Sequence, residues 1–253
     1  MSLSAGRALV VGYGRMGGFH AKVLRDLGYE VVTVDPDPES GADFPTVTGG
    51  AGRPSSWRQP PLAEFAVAAI ATPPEFLVET AYELAGIPKL LVEKPFATNT
   101  RDASMLAAYL KACGSDVCVG LTERFNPQAR ALRTLLHDGT LRDVSSARFV
   151  RWNDRPSFDV ALDLKLHDVD LALWMRAGHT SFDTRADSDV RVRRIEVTHA
   201  DGVYECDLMA HDLSPLHALW HAFLTDGEYP TPEDVIHAHR FLDLLRDKEE
   251  VAA

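Results

Sequence analysis

The 253-residue chain is poor in cysteine: Cys113, Cys118 and Cys206 are all it has. Three is an odd number without metal-knuckle spacing, so reduced thiols in a cytoplasmic protein are expected. Long hydrophobic runs are missing too. No window reaches the ~18 uninterrupted apolar residues of a membrane span, so no membrane partner is expected. Residues 1–7 lack a basic stretch followed by an apolar run, so no secretory leader is expected. Basic charge is in deficit: 26 Lys and Arg stand against 37 Asp and Glu, a net charge of −11. Such a chain repels phosphate backbones, which argues against nucleic acid as a partner. Repeats and low-complexity tracts are absent. The remainder is ordinary globular composition, sufficient for one large or two small domains.

The first 120 residues alternate short apolar runs with amphipathic stretches. Residues 8–11, 31–34, 65–71, 90–92 and 117–119 read as strands. Residues 15–27, 75–85 and 101–112 carry apolar positions at helical spacing. Strands alternating with helices predict an α/β fold, a doubly wound parallel sheet of the Rossmann type. Residues 43–61 are rich in Gly, Pro and Ser, and the usual third strand and its helix look eroded there.

The first strand runs into Gly12-Tyr13-Gly14-Arg15-Met16-Gly17, a G-x-G-x-x-G turn that opens a helix. Gly12 permits the tight turn, Gly14 lets a pyrophosphate approach the backbone, and Gly17 lets helix and strand pack closely. The N–H groups at the helix start then face the anion. Asp35 ends the next strand, where a carboxylate accepts hydrogen bonds from an adenosine ribose; capping the strand end is the plainer alternative. A carboxylate there repels a 2′-phosphate, and Asp37 and Glu39 add negative charge. NAD is therefore the expected cofactor, while Arg15 in the turn keeps NADP open.

Two further segments sit at strand ends: Ala69-Ile70-Ala71-Thr72-Pro73-Pro74 and Val92-Glu93-Lys94-Pro95. With the glycine turn they resemble the Gfo/Idh/MocA oxidoreductases. Residues 119–127 (V-G-L-T-E-R-F-N-P) look like that family's crossing into its substrate domain. Asp163-Leu164-Lys165-Leu166-His167-Asp168-Val169-Asp170 resembles its D-x-G-x-H-x-x-D helix, and residues 215–247 its closing helices. The resemblance implies a Rossmann domain over 1–121 and a second, smaller α+β substrate domain over 122–253. It implies cofactor contacts from Gly12, Gly14, Arg15, Met16, Gly17, Asp35, Ala71, Thr72, Pro73, Glu93 and Lys94. It implies a catalytic set of Lys94, Asp163 and His167, with Lys94, Arg124, Lys165 and His167 at the substrate. The substrate would sit between the domains. The implied substrate is a sugar, cyclitol or related small molecule, and a homodimer through the open sheet face is the assembly found in relatives.

The residues support a chemical reading of their own. Ligands of open α/β sheets bind beyond the carboxyl ends of the strands, so Thr72, Pro73, Glu93 and Lys94 should line one crevice. A lysine there is a mobile cation able to hydrogen-bond a hydroxyl or relay a proton; a solvated strand-end lysine is the alternative. Glu93 either orients Lys94 or caps a neighbouring helix. Asp163, His167 and Asp170 share one face of a regular helix, and a carboxylate beside an imidazole suits acid/base work near neutral pH. Lys165 departs from the family's glycine. On a regular helix it points away from that face; on an irregular one its ammonium could meet an anionic substrate.

The second half is short, with strand candidates at 144–152, 190–198 and 203–208. Arg191, Arg193 and Arg194 read as the solvent face of an edge strand, and Trp152 and Trp174 as core, with lining of a substrate pocket the alternative. His217 and His221 stand four apart without an H-E-x-x-H motif, so no metal is expected. The combined expectation is an NAD(P)-dependent dehydrogenase moving a hydride to or from a hydroxyl or keto carbon. An imine reductase of the same family is one alternative. A cofactor-binding sensor without turnover is another, kept open by the short second half and Lys165.

Overall fold

The computed structural model describes residues 5–36, 46–48, 61–211 and 214–251, with backbone alone at 46–48 and 247–251. The chain forms two compact units. Met1–Gly120 and Trp220–Ile236 make the first, and Leu121–Leu219 and His237–Ala253 the second. The contiguous division at 121/122 is therefore corrected in one segment: residues 220–236 return to the first unit.

The first unit runs β1 (Arg7–Val11), α1 (Arg15–Asp26), β2 (Glu30–Asp35), β3 (Thr46–Thr48), β4 (Phe65–Ile70), α2 (Pro74–Glu83), β5 (Lys89–Val92), α3 (Thr100–Ala112) and β6 (Asp116–Val119). Its sheet has the order β3-β2-β1-β4-β5-β6, parallel throughout. Ala8–Val11, Val67–Ile70 and Leu90–Val92 are fully buried, as strands covered on both faces require. Of the Gly/Pro/Ser-rich stretch at 43–61, only the three residues of β3 and Pro61 are described. The strand order reverses direction between β1 and β4, which opens a crevice at their carboxyl ends.

A lysine ties the returning segment down. Lys89 Nζ donates to Asp116 (3.1 Å), Asp226 (2.7 Å) and the Phe223 carbonyl (2.9 Å), and lies over the Phe223 ring. Burial disfavours this ammonium, but the hydrogen bonds to Asp226 and Asp116 outweigh burial and raise its pKa. The Tyr229 hydroxyl donates to Asp116 at 2.7 Å, and the Val119 N–H donates to the Pro230 carbonyl.

The second unit holds α4 (Pro127–His137), β7 (Ser146–Trp152), α5 (Leu166–Met175), β8 (Thr180–Arg185), β9 (Val192–His199) and β10 (Gly202–Asp207). Two further helices, α6 (Pro215–Leu224) and α7 (Pro232–Val251), are divided between the units. The sheet order is β10-β9-β7-β8, with β8 parallel to β7 and the other pairs antiparallel. One face packs Ala147, Phe149, Ile195 and Val197 against Ala129, Leu132, Leu171 and Met175 of α4 and α5. The other face carries paired charge: Arg148 bonds Asp183 (3.0 Å) and Glu196 (3.3 Å), and Arg194 reaches Glu196 at 2.7 Å.

Three sequence readings are corrected here. β8 was not foreseen, because its TSFDTR holds a single large apolar residue, Phe182, which stacks on Phe149. β9 lies inside the sheet, so its arginines do not mark an edge. Trp152 and Trp174 are half-buried, each beneath an arginine, Arg185 and Arg133 respectively.

Candidate functional site

In the first unit a cavity of about 490 Å³ sits at the sheet's switch point. It is lined by Gly12, Gly14, Arg15, Met16, Asp35, Ala71, Thr72 and Pro73, joined by Pro36 and Phe76. Its walls are the ends of β1, β2 and β4 and the start of α1. Gly12 has φ +84°, and a Cβ there would stand 2.7 Å from the Ala71 carbonyl. A Cβ on Gly17 would stand 1.8 Å from the Gly12 carbonyl oxygen. These contacts wedge the turn between α1 and the end of β4. At Gly14, in contrast, a Cβ would meet nothing within 4 Å. Gly14 caps α1 without a side-chain hydrogen bond, and the first turn holds no acidic residue. That leaves the positive end of a twelve-residue helix facing the cavity, suited to a pyrophosphate.

Asp35 accepts the Tyr13 N–H at 2.6 Å, which ties the end of β2 to the glycine turn. Asp37 and Glu39 lie outside the described residues. The Thr72 hydroxyl is buried at the cavity wall without a hydrogen-bond partner among the described residues. An anion-ready helix start, a glycine floor, a carboxylate at the β2 end and an unsatisfied hydroxyl fit the pyrophosphate and ribose of NAD.

Gly17, Glu93 and Lys94 do not line this cavity. Lys94 follows β5, is half-buried, and is joined to Pro95 by a cis peptide bond. The turn closes when the Phe96 N–H donates to the Glu93 carbonyl. The Glu93 side chain is buried and faces inward. Its Oε1 bonds His20 Nε2 at 2.9 Å, and its Oε2 accepts the Lys94 N–H at 3.2 Å. The Glu93 carboxylate thus joins the Lys94 backbone to His20 on α1. Sequence reasoning missed His20, which lies three residues beyond Gly17 on the buried face of α1, and Trp220, whose indole N–H donates to His20 Nδ1 at 2.9 Å.

In the second unit, Ala161–Lys165 forms a wide π-helical turn ahead of α5. Asp159 starts it, its carboxylate accepting the N–H groups of Ala161 (2.8 Å) and Leu162 (3.0 Å). Leu162, Leu164 and Leu166 point into the core, while Asp163, Lys165 and His167 are half-buried. The regular helix expected to carry Asp163, His167 and Asp170 on one face therefore does not reach back to Asp163. Such π turns recur at functional sites because the extra residue re-aims the side chains around it. Asp163 accepts a hydrogen bond from the Ser157 hydroxyl at 2.9 Å. Asp170 is buried and takes two bonds from Arg124, at 2.9 and 2.6 Å. That pairing fixes Arg124 within the unit.

Beneath these residues lies a charged cluster that the sequence did not announce. Arg151 and Arg193 stand opposite each other on β7 and β9, and Glu123 Oε1 accepts from both, at 3.1 and 2.9 Å. Arg151 also donates to Asp168 at 2.9 Å. Burial would raise the Glu123 pKa, but Arg151 and Arg193 hold it below the ordinary carboxylate value.

The fold and the cavity are those of a dinucleotide-binding Rossmann domain. Residues 6–121 match the model of the Gfo/Idh/MocA oxidoreductase family, described by its NAD-binding Rossmann fold. A UDP-N-acetylglucosamine 3-dehydrogenase of Acidithiobacillus ferrooxidans is 29% identical over 183 residues, covering 71% of this chain and 57% of the relative. YceM of Salmonella typhimurium is 32% identical over 131 residues, 49% of this chain and 43% of its own length. The chain thus spans about half the length of the curated relatives it matches. Solved structures agree in fold over nearly the whole chain. The dehydrogenase GnnA of A. ferrooxidans superposes with a TM-score of 0.79 at 17% identity, covering 96% of this chain and 97% of that one. GenD2 from gentamicin A biosynthesis, in complex with NAD, gives 0.76 at 19% identity, covering 96% and 93%. Among the described residues no helix is long and apolar enough to cross a membrane, and no group of three or more His, Cys, Asp or Glu could hold a metal ion.

Proposed function

We propose that the protein is an NAD-dependent dehydrogenase acting on a CH–OH group of a sugar nucleotide or a related polyhydroxylated small molecule. The observation that carries this reading is the glycine-floored cavity at the β1/β4 switch point, closed on one side by Asp35, within the segment 6–121 that matches an NAD-binding oxidoreductase family. The similarity to a UDP-N-acetylglucosamine dehydrogenase favours a sugar nucleotide among the candidates.

NAD, when bound, supplies hydride acceptance at its nicotinamide ring. The chain supplies binding, orientation and proton handling. Gly12, Gly14 and the start of α1 hold the pyrophosphate, and Asp35 holds the ribose. Lys94 takes the hydroxyl proton as the substrate is oxidised and returns it in the reverse direction. His167 serves as a second acid/base, with Asp163 orienting it. Lys165, at the glycine position of the D-x-G-x-H-x-x-D pattern the segment resembles, recognises an anionic group such as the diphosphate of a sugar nucleotide.

The test is NADH formation from NAD with UDP-N-acetylglucosamine, N-acetylglucosamine and myo-inositol in parallel. Turnover is expected on the nucleotide sugar; NAD binding without turnover on any polyol would favour the sensor alternative. Lys94→Ala should lower turnover by about two to four orders of magnitude, the range for a lost acid/base group, with NAD affinity nearly intact. Lys165→Gly should weaken the charged substrate more than the neutral one. Equal effects on both would remove the anion-recognition role.

A further inference from the structure

We propose that Trp220 and His20 are positioning residues for Lys94, acting through the carboxylate of Glu93. The inference rests on the reading of Lys94 as the proton-handling group. It is carried by a buried chain of hydrogen bonds within the first unit. Trp220 and His20 are fully buried, and Glu93 is 6% exposed. Trp220 Nε1 lies 2.9 Å from His20 Nδ1, and His20 Nε2 lies 2.9 Å from Glu93 Oε1.

The indole N–H can only donate. His20 Nδ1 must therefore be an unprotonated acceptor, and the ring proton sits on Nε2. The imidazole is held neutral and aimed as a donor at Glu93. With one carboxylate oxygen held this way, the other accepts the Lys94 N–H. The chain of contacts ends at the backbone from which the Lys94 side chain departs. The space for it is specific: a Cβ on Gly120 would stand 2.8–2.9 Å from the Glu93 carboxyl atoms. Trp220 itself reaches His20 from 200 residues away, on the segment that Lys89 clamps through Asp226 and the Phe223 carbonyl. A core built only for packing would fill this space with apolar side chains. Three polar groups satisfied in series beneath a lysine instead fix the orientation of the turn.

Nitrogen-15 spectra of histidine-labelled protein test the first link. His20, assigned by its loss in His20→Gln, should appear as the neutral Nε2-protonated tautomer, and Trp220→Phe should produce a mixture. The second link is tested by exchange of the Lys94 amide, which should quicken about fivefold in Trp220→Phe, as for one lost hydrogen bond. Turnover should fall about tenfold in Trp220→Phe and His20→Ala, with the KM for NAD within about twofold of wild type. His20→Gln, whose amide can donate to Glu93, should recover most of it. An Nδ1-protonated His20 in the wild type, or wild-type amide exchange and turnover in folded Trp220→Phe, overturns the proposal; that variant decides should His20→Ala not fold. Lys94→Ala separates the two readings. If it abolishes turnover while Trp220→Phe retains it, only the positioning role falls. If it leaves turnover intact, both fall.

Discussion

The two sheets of this molecule treat polar groups in opposite ways. The parallel sheet of the first unit buries apolar residues on both faces and sends its chemistry to the strand ends, where Gly12, Asp35, Thr72 and Lys94 stand. The mixed sheet of the second unit is apolar on one face, ion-paired on the other, and ends its inner face in a charge cluster of buried Arg151, Glu123 and Asp168 with half-buried Arg193. The difference follows from cover. A parallel sheet needs helical crossovers that shield both faces, so its charged groups are confined to its ends. A sheet covered on one side can pair charges in water on the other. The charge it does bury must be matched group by group.

Removing Arg151 presses hardest on that contrast. Arg151→Met leaves Glu123 and Asp168 buried beside a single half-exposed arginine, so a loss of about 3–5 kcal/mol is expected in urea unfolding. A loss below about 1 kcal/mol would mean that water reaches the cluster and that the second unit's interior is not dry.

On the first unit the corresponding blow is Gly12→Ala. It combines a positive φ with a collision against the end of β4. Strain of about 1–3 kcal/mol and at least a tenfold loss of NAD affinity by calorimetry are expected. Undiminished affinity would show that the turn is not wedged as described.

Asp35→Ser sharpens the reading of the cavity. Preference for NADP over NAD should rise by about tenfold or more once the carboxylate that repels a 2′-phosphate is gone. The loss of its bond to the Tyr13 N–H should at the same time weaken both cofactors. An unchanged ratio in paired titrations would remove Asp35 from cofactor selection.

Acid tests the charge cluster without mutation. Arg151 and Arg193 hold the Glu123 pKa below its unfolded value of about 4.3, despite burial. The stability this contributes is complete above that value and drains as pH falls through the lowered folded pKa. Acid unfolding of wild type should therefore steepen below about pH 4, and Glu123→Gln should lose that component while being less stable at neutral pH. An identical acid limb in both proteins would refute the assignment.

The smallest effect belongs to the exposed face. Arg148→Ala breaks contacts to Asp183 and Glu196 in water and should cost at most about 1 kcal/mol, diminishing with salt. A larger, salt-independent loss would place that face out of solvent.

Much of the first unit was readable because its signals are local. Gly12 and Gly17 report a turn geometry only glycine satisfies, and β-branched runs of strand length report burial. Asp35 could be placed by counting from the turn. Elsewhere the pattern misled. A regular helix through Asp163, His167 and Asp170 was the natural reading, yet the chain inserts a π turn over Ala161–Lys165 that periodicity cannot register. The pairing of Arg124 with Asp170, 46 residues apart, left no local signal either. β8 escaped notice because an edge strand needs little apolar content.

The sequence by itself determined the parallel sheet, the glycine turn, its carboxylate and the lysine at the end of β5, since each depends on residues near one another in the chain. Tertiary structure decided the rest. It carried 220–236 back to the first unit, set Trp220 on His20 and His20 on Glu93, and placed Arg151 opposite Arg193 with Glu123 shared between them. The physical reason is separation. A buried polar group requires a partner, but desolvation does not specify where along the chain that partner lies, and only the folded backbone brings residues 20, 93 and 220 within hydrogen-bonding distance.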